Sequence, residues 1–126
     1  MKGLTFVLAA LLATPATAKP VSFATDITPM LKTRCAVCHL TGQEAGNLAL
    51  HPKAAYASLF RRKSGESSWL LVDPKKPDTS YLVMKLEGTH LKKGGKGARM
   101  PFAAPPLDAA TIALIRRWIS EGATNN

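Results

Sequence analysis

The chain has 126 residues, with 17 Lys and Arg against 8 Asp and Glu, a formal charge of +9 and 2 Cys. That length is one small domain whose apolar core alone is marginal, and two cysteines are too few for a disulfide-dense scaffold or a self-contained zinc finger. The basic excess suits acidic protein partners or an anionic membrane face; nucleic acid is the other reading of such charge, but no nucleic-acid motif accompanies it.

Residues 1–18 read as an export signal. Lys2 gives a positive start, Leu4 to Leu12 form an apolar run interrupted by Thr5, and Ala16-Thr17-Ala18 is an A-x-A cleavage site. The run is too short to span a bilayer. Cleavage after Ala18 leaves residues 19–126 as the domain, in a periplasmic or otherwise exported location. No cysteine sits at the cleavage point, so no lipid anchor is expected.

The first helix opens around Asp26-Ile27-Thr28-Pro29-Met30-Leu31. Thr28 can cap it with Pro29 at the first helical position; alternatively it begins near Phe23 and Pro29 lies in its first turn or kinks it. Ile27, Met30, Leu31, Cys35 and Cys38 share one stripe. That stripe leads into Cys35-Ala36-Val37-Cys38-His39, the C-x-x-C-H signature of c-type haem attachment. Two thiols at this spacing can each add to a vinyl group of one porphyrin, and the following His39 can offer an imidazole nitrogen to the iron. A thioredoxin-like pair needs a βαβ context, a zinc site needs further ligands, and a disulfide leaves His39 unexplained. Both cysteines are thus spent on haem c.

Residues 40–68 are mostly irregular, with turns at Gly42, Gly46 and Asn47. Leu48 and Leu50 are candidates for one haem edge, His51 before Pro52 reads as a surface residue, and a short helix fits Lys53 to Phe60. Arg61-Arg62-Lys63-Ser64-Gly65 is a basic solvated turn. Trp69-Leu70-Leu71-Val72 is a buried apolar run, followed by the breaker Asp73-Pro74-Lys75-Lys76-Pro77-Asp78. Ser80 is the expected cap of a second helix, Tyr81 to Glu87, closed by Gly88, with Leu82 and Leu86 toward the core.

Gly88 to Arg99 is a glycine-rich basic loop, not a phosphate loop, since no Ser or Thr follows Gly95-Lys96 and position 90 is His. Beyond it, Met100-Pro101 places a thioether for the iron face opposite His39. His90, Met84, His51 or an open position are the alternatives to Met100. Asp108 caps the last helix, Ala109 to Glu121, with Leu107 as a staple residue. Ile112, Ile115, Trp118 and Ile119 form its apolar stripe, Trp118 is expected to pack on the first helix, Gly122 ends the helix and the tail to Asn126 is expected to fray.

Three stretches together carry a resemblance: Asp26-Ile27-Thr28-Pro29-Met30-Leu31, Arg99-Met100-Pro101, and Ile115-Arg116-Arg117-Trp118-Ile119-Ser120-Glu121-Gly122-Ala123. With the C-x-x-C-H motif they make the chain similar to single-haem class I c-type cytochromes, above all to the planctomycete-type cytochrome c domains. The resemblance implies an all-α fold of three to four helices and long loops around one covalent haem, with first and last helices crossing. It implies Cys35 and Cys38 as attachment points, His39 as proximal ligand and Met100 as distal ligand.

An iron with both axial positions filled changes charge without binding substrate. The expectation is a one-electron carrier rather than an enzyme, monomeric, docking to redox partners with acidic surfaces, with peripheral membrane association as a further use of the basic surface. The alternatives are a cytochrome subunit fixed on a dehydrogenase or oxidase, and a peroxidase-like or gas-binding protein with a labile distal ligand.

Overall fold

The computed structural model describes residues 17–126, so the export signal read over residues 1–18 lies outside the described residues except for its last two positions. The described chain is all-α. Four α-helices, α1 (Thr28–Arg34), α2 (Ala55–Leu59), α3 (Tyr81–Glu87) and α4 (Ala109–Ser120), are joined by long connections containing short 3₁₀ turns.

A π-helical turn, Phe23–Ile27, runs directly into α1. The cap is therefore Ser22 and not Thr28. Ser22 Oγ accepts from the Thr25 backbone N–H at 3.2 Å, and the Ser22 N–H donates to Asp26 Oδ2 at 2.7 Å. This reciprocal pair satisfies early backbone groups one turn before Thr28, so the start near Phe23 is the one observed, with Pro29 in the first turn of α1.

The C-terminal tail is clamped instead of frayed. The Phe23 and Ala24 N–H groups, free at the start of the helical segment, donate to Asn126 Oδ1 and to the Asn126 carbonyl at 2.9 and 2.8 Å. Ala123 is fully buried, and Trp118 Nε1 donates to the Thr124 carbonyl. The expected packing of Trp118 on the first helix is present: its ring lies 5.2 Å from that of Phe23, with Tyr56 edge-on to Phe23 at the same distance. Such aromatic packing adds to the burial of the α4 stripe Ile115, Trp118 and Ile119.

Ser80 stands at the N-cap position of α3, but its side chain faces away from the helix. The first N–H groups of α3 are taken by the preceding apolar run: Tyr81 N donates to Leu70 O and Leu82 N to Leu71 O. Ser80 Oγ instead donates to the Lys76 carbonyl and accepts from the Asp73 N–H, folding the proline-rich breaker under the helix. The apolar run is extended and pairs only through single bridges, Phe60 with Val72 and Lys63 with Leu70. Leu71 and Val72 are buried, whereas Trp69 and Leu70 are half-buried. Gly88, at φ +78°, closes α3 in the left-handed conformation that suits glycine. No helix among the described residues is long and apolar enough to cross a membrane.

Candidate functional site

The C-x-x-C-H stretch continues α1 as a tight turn. Cys35 N and Ala36 N both donate to the Leu31 carbonyl, and Cys38 N and His39 N both donate to the Cys35 carbonyl. The turn is anchored below by buried Leu31 and Ala36 and behind by the Leu50 N–H, which donates to the His39 carbonyl at 2.7 Å. Both thiols are free; Cys35 is half-buried and Cys38 exposed. Burial pushes the Cys35 thiol up to about 11, against the opposing pull of the neighbouring Arg34 guanidinium. It is thus a neutral thiol at neutral pH.

Cys35, Cys38, His39 and Met100 line a single cavity of about 550 Å³. That volume falls within the roughly 300–1,000 Å³ of ordinary ligand and cofactor sites. Its walls are mainly apolar: Leu48 and Leu50 from the segment after the motif, Leu59 from α2, Leu71 from the apolar run, and Leu82 and Leu86 from α3. Leu82 is therefore a wall residue more than a core residue, while Leu86 is both.

His39 is half-buried on this wall, and its Nδ1 is buried without a hydrogen-bond partner. Met100 is positioned from across the domain. Its N–H donates to the Lys85 carbonyl at 3.0 Å, which pins the loop end against α3. Neither Met84 nor His90 lines the cavity. Met84 is buried in the core, and His90 is buried beneath the 88–99 loop, its Nε2 donating to the Gly97 carbonyl at 2.8 Å. His51 lies outside the cavity lining as well. Among the described residues no three His, Cys, Asp or Glu side chains cluster as a metal site would require.

One part of the wall is polar, and the residue pattern did not single it out. Lys85 Nζ donates to Glu66 Oε2 and to the Lys96 carbonyl, both at 3.0 Å. The Tyr81 hydroxyl lies 3.2 Å from Glu66 Oε2 and accepts from the Lys96 N–H at 3.2 Å. Burial raises the Tyr81 phenol above its ordinary value, so it stays neutral. Tyr81 and Lys85 are four residues apart, on one face of α3, and that spacing was the available signal.

No family model matches the chain, and no match was found among curated proteins. The chain is similar to a solved structure, Kuenenia stuttgartiensis hydrazine synthase, at 21% identity and a TM-score of 0.51. The similarity covers 82% of this chain and 16% of that one, so this chain spans only a small part of that chain's length. The likeness is one of fold.

Proposed function

We propose that this chain is an exported c-type cytochrome passing single electrons through one covalently held haem c. One observation carries the reading: the side chains singled out by the C-x-x-C-H motif and by Met100-Pro101, far apart in the sequence, line one leucine-walled cavity. The donor set suits an iron porphyrin. It offers two free thiols, an imidazole with an unpartnered buried nitrogen, a thioether, and apolar walls for a large flat ring.

When bound, the haem supplies a one-electron iron couple. Cys35 and Cys38 would hold the macrocycle by thioether bonds, each S–H adding across a vinyl double bond with no leaving group and no net redox change. His39 would offer the iron an imidazole lone pair and Met100 a thioether lone pair. An iron held by both would suit electron transfer over oxygen or peroxide chemistry. Met100 and the leucine walls both favour the ferrous state, the first as a soft donor and the second by excluding water from the more highly charged ferric form.

The partner surface follows from exposure and charge. Val37 and Phe102, 80% and 70% exposed, border the cavity, with Arg34 and Arg99 three residues before them in the chain. Trp69 Nε1 donates to the Lys93 carbonyl, and Lys63 bridges to Leu70, so the Arg61–Lys63 and Lys92–Lys93 runs are both tied to the Trp69-Leu70 segment. Among the described residues none of Arg61, Arg62, Lys63, Lys92, Lys93, Lys96 and Arg99 has a carboxylate within ion-pair distance. This uncompensated charge suits an acidic redox partner, with encounter slowed by salt.

The test is an optical spectrum of the exported protein in both redox states, with intact mass and a pyridine haemochrome. A haem mass increment and the red ferric band of methionine–iron ligation are expected. A colourless protein ends the reading, and high-spin iron without that band replaces the carrier by a gas-binding or peroxidase-like protein. A second reading, a cytochrome module fixed on a dehydrogenase or oxidase, is favoured by exposed Val37 and Phe102. Co-purification in high salt would support it, and recovery as a free monomer would count against it.

A further inference from the structure

We propose that Lys85 and Ser64 form a carboxylate site on the cavity wall, and that the carboxylate it takes belongs to the porphyrin. The proposal rests on the haem reading above and deepens it.

Lys85 is a buried cation, 8% exposed, on the wall of the cavity. A buried ammonium is costly unless its protons are all satisfied. Two are spent, on Glu66 Oε2 and on the Lys96 carbonyl. The third has no hydrogen-bond acceptor among the described residues, with the Tyr81 ring centroid 6.0 Å from Nζ. Ser64, 7% exposed and also on the wall, accepts from the Glu66 N–H at 3.0 Å through Oγ, and its own hydroxyl proton likewise has no acceptor among them. Two buried donors thus lie on the wall of a cavity that six leucines also line, together with Glu66 and Tyr81.

The charge balance points the same way. In the Lys85–Glu66 pair the carboxylate side chain is 36% exposed and the ammonium side chain 10%. Glu66 lines the cavity too, but water screens its carboxylate more than it screens the buried ammonium. The loop packs tightly over this pair: a Cβ at Gly97 would lie 3.1 Å from Glu66 Oε1 and 3.3 Å from Lys85 Nζ. Glycine there lets the 94–97 backbone close on the pair and supply the Lys96 carbonyl.

Haem chemistry selects the ligand. When the two vinyl groups are joined to cysteines, the two carboxylates lie on the opposite half of the ring. Ser64 and Lys85 come from the 61–72 segment and from α3, not from the element bearing Cys35 and Cys38. The other cation on the wall, Arg34, adjoins Cys35 and donates to the Pro105 carbonyl at 3.0 Å.

The experiment uses the matured, haem-bearing protein and its Lys85→Gln, Lys85→Arg and Ser64→Ala variants. Intact mass and pyridine haemochrome establish haem attachment first, so that loss of the haem reading is seen separately. Resonance Raman then reads the porphyrin carboxylate bending mode, and redox titration the midpoint potential. Lys85→Gln is expected to keep the haem, shift that mode and lower the potential, since a positive charge opposing the ferric state is gone. Lys85→Arg is expected to restore most of both, and Ser64→Ala to shift the mode with a smaller change in potential. Haem-bearing Lys85→Gln with an unmoved carboxylate mode overturns the proposal. If that variant does not mature, an unmoved mode in Ser64→Ala overturns it equally. A shift caused by a free organic acid in place of the porphyrin group would disappear on exhaustive dialysis, and that outcome also overturns it.

Discussion

Adding one methyl group at Gly95 tests how tightly the Met100 loop is built onto α3. A Cβ there would lie 2.5 Å from the Tyr81 hydroxyl oxygen, 2.7 Å from Tyr81 Cε2 and 2.9 Å from the His90 carbonyl oxygen. Neither neighbour yields cheaply. Tyr81 is 2% exposed and hydrogen-bonded to the loop through its hydroxyl, and the Gly95 N–H is itself bonded to the His90 carbonyl. Overpacking of this kind costs about 1–3 kcal/mol. Losing a Tyr81 hydrogen bond adds about 0.5–1.5 kcal/mol. The sum, about 1.5–4.5 kcal/mol, corresponds to a fall in melting temperature of roughly 6–18 °C at about 4 °C per kcal/mol for a domain near 100 residues. Thermal unfolding of the matured Gly95→Ala protein reads this directly, and weakening of the methionine–iron band should accompany it because the same loop carries Met100. Adding Tyr81→Phe to Gly95→Ala should recover only part of the loss, because Cε2 and the His90 carbonyl still obstruct. A Gly95→Ala protein melting within two or three degrees (about 0.5 kcal/mol) of the unsubstituted protein would refute the reasoning.

Met100→Ala should keep the haem mass and lose the red ferric band, while Met84→Ala should keep the band and lose stability, since Met84 is buried in the core away from the cavity. Trp118→Ala should cost about 3–5 kcal/mol in denaturant unfolding, the usual range for a large buried aromatic. Hydrogen bonding from Thr111 holds the Asp108 carboxyl below its ordinary value. Its stabilisation is therefore present above the ordinary carboxylate range and is lost as pH falls through the lowered folded value. Asp108→Asn, which keeps a capping oxygen but does not titrate there, should flatten that part of the acid limb in a stability–pH series.

Helices α3 and α4 follow closely from spacing and punctuation, because Gly88, Asp108 and the Ile112–Ile119 stripe are local signals. The start of the first helix and the end of the chain are harder to read for one shared reason. Phe23 and Ala24 find their acceptors at Asn126, some hundred positions away, and no local rule announces such a partner. Ser80 shows the same limit: it occupies a capping position, yet Leu70 and Leu71 supply the acceptors and free its hydroxyl for the Asp73–Lys76 turn. At the site, paired thiols and an adjacent imidazole are legible because they stand together within five residues. The polar wall is not, because Lys85 and Glu66 look like surface charges until the 94–97 loop closes over them.

The cavity also couples folding to its contents. Its leucine walls are apolar surface open to solvent while nothing fills it, and covering such surface stabilises by about 25 cal/mol per Å². Leu48, Leu50, Leu59, Leu71, Leu82 and Leu86 face it from four separate segments, so a bound ring joins those segments as core residues ordinarily would. A Cys35→Ser, Cys38→Ser protein, deprived of both thioether bonds, should therefore show a lower melting temperature and reduced helical circular dichroism than the matured protein. Adding free haem should recover part of the loss. If the double variant instead melts at the wild-type temperature with the full helical signal and no bound haem, α1 to α4 hold their arrangement unaided and the coupling is wrong.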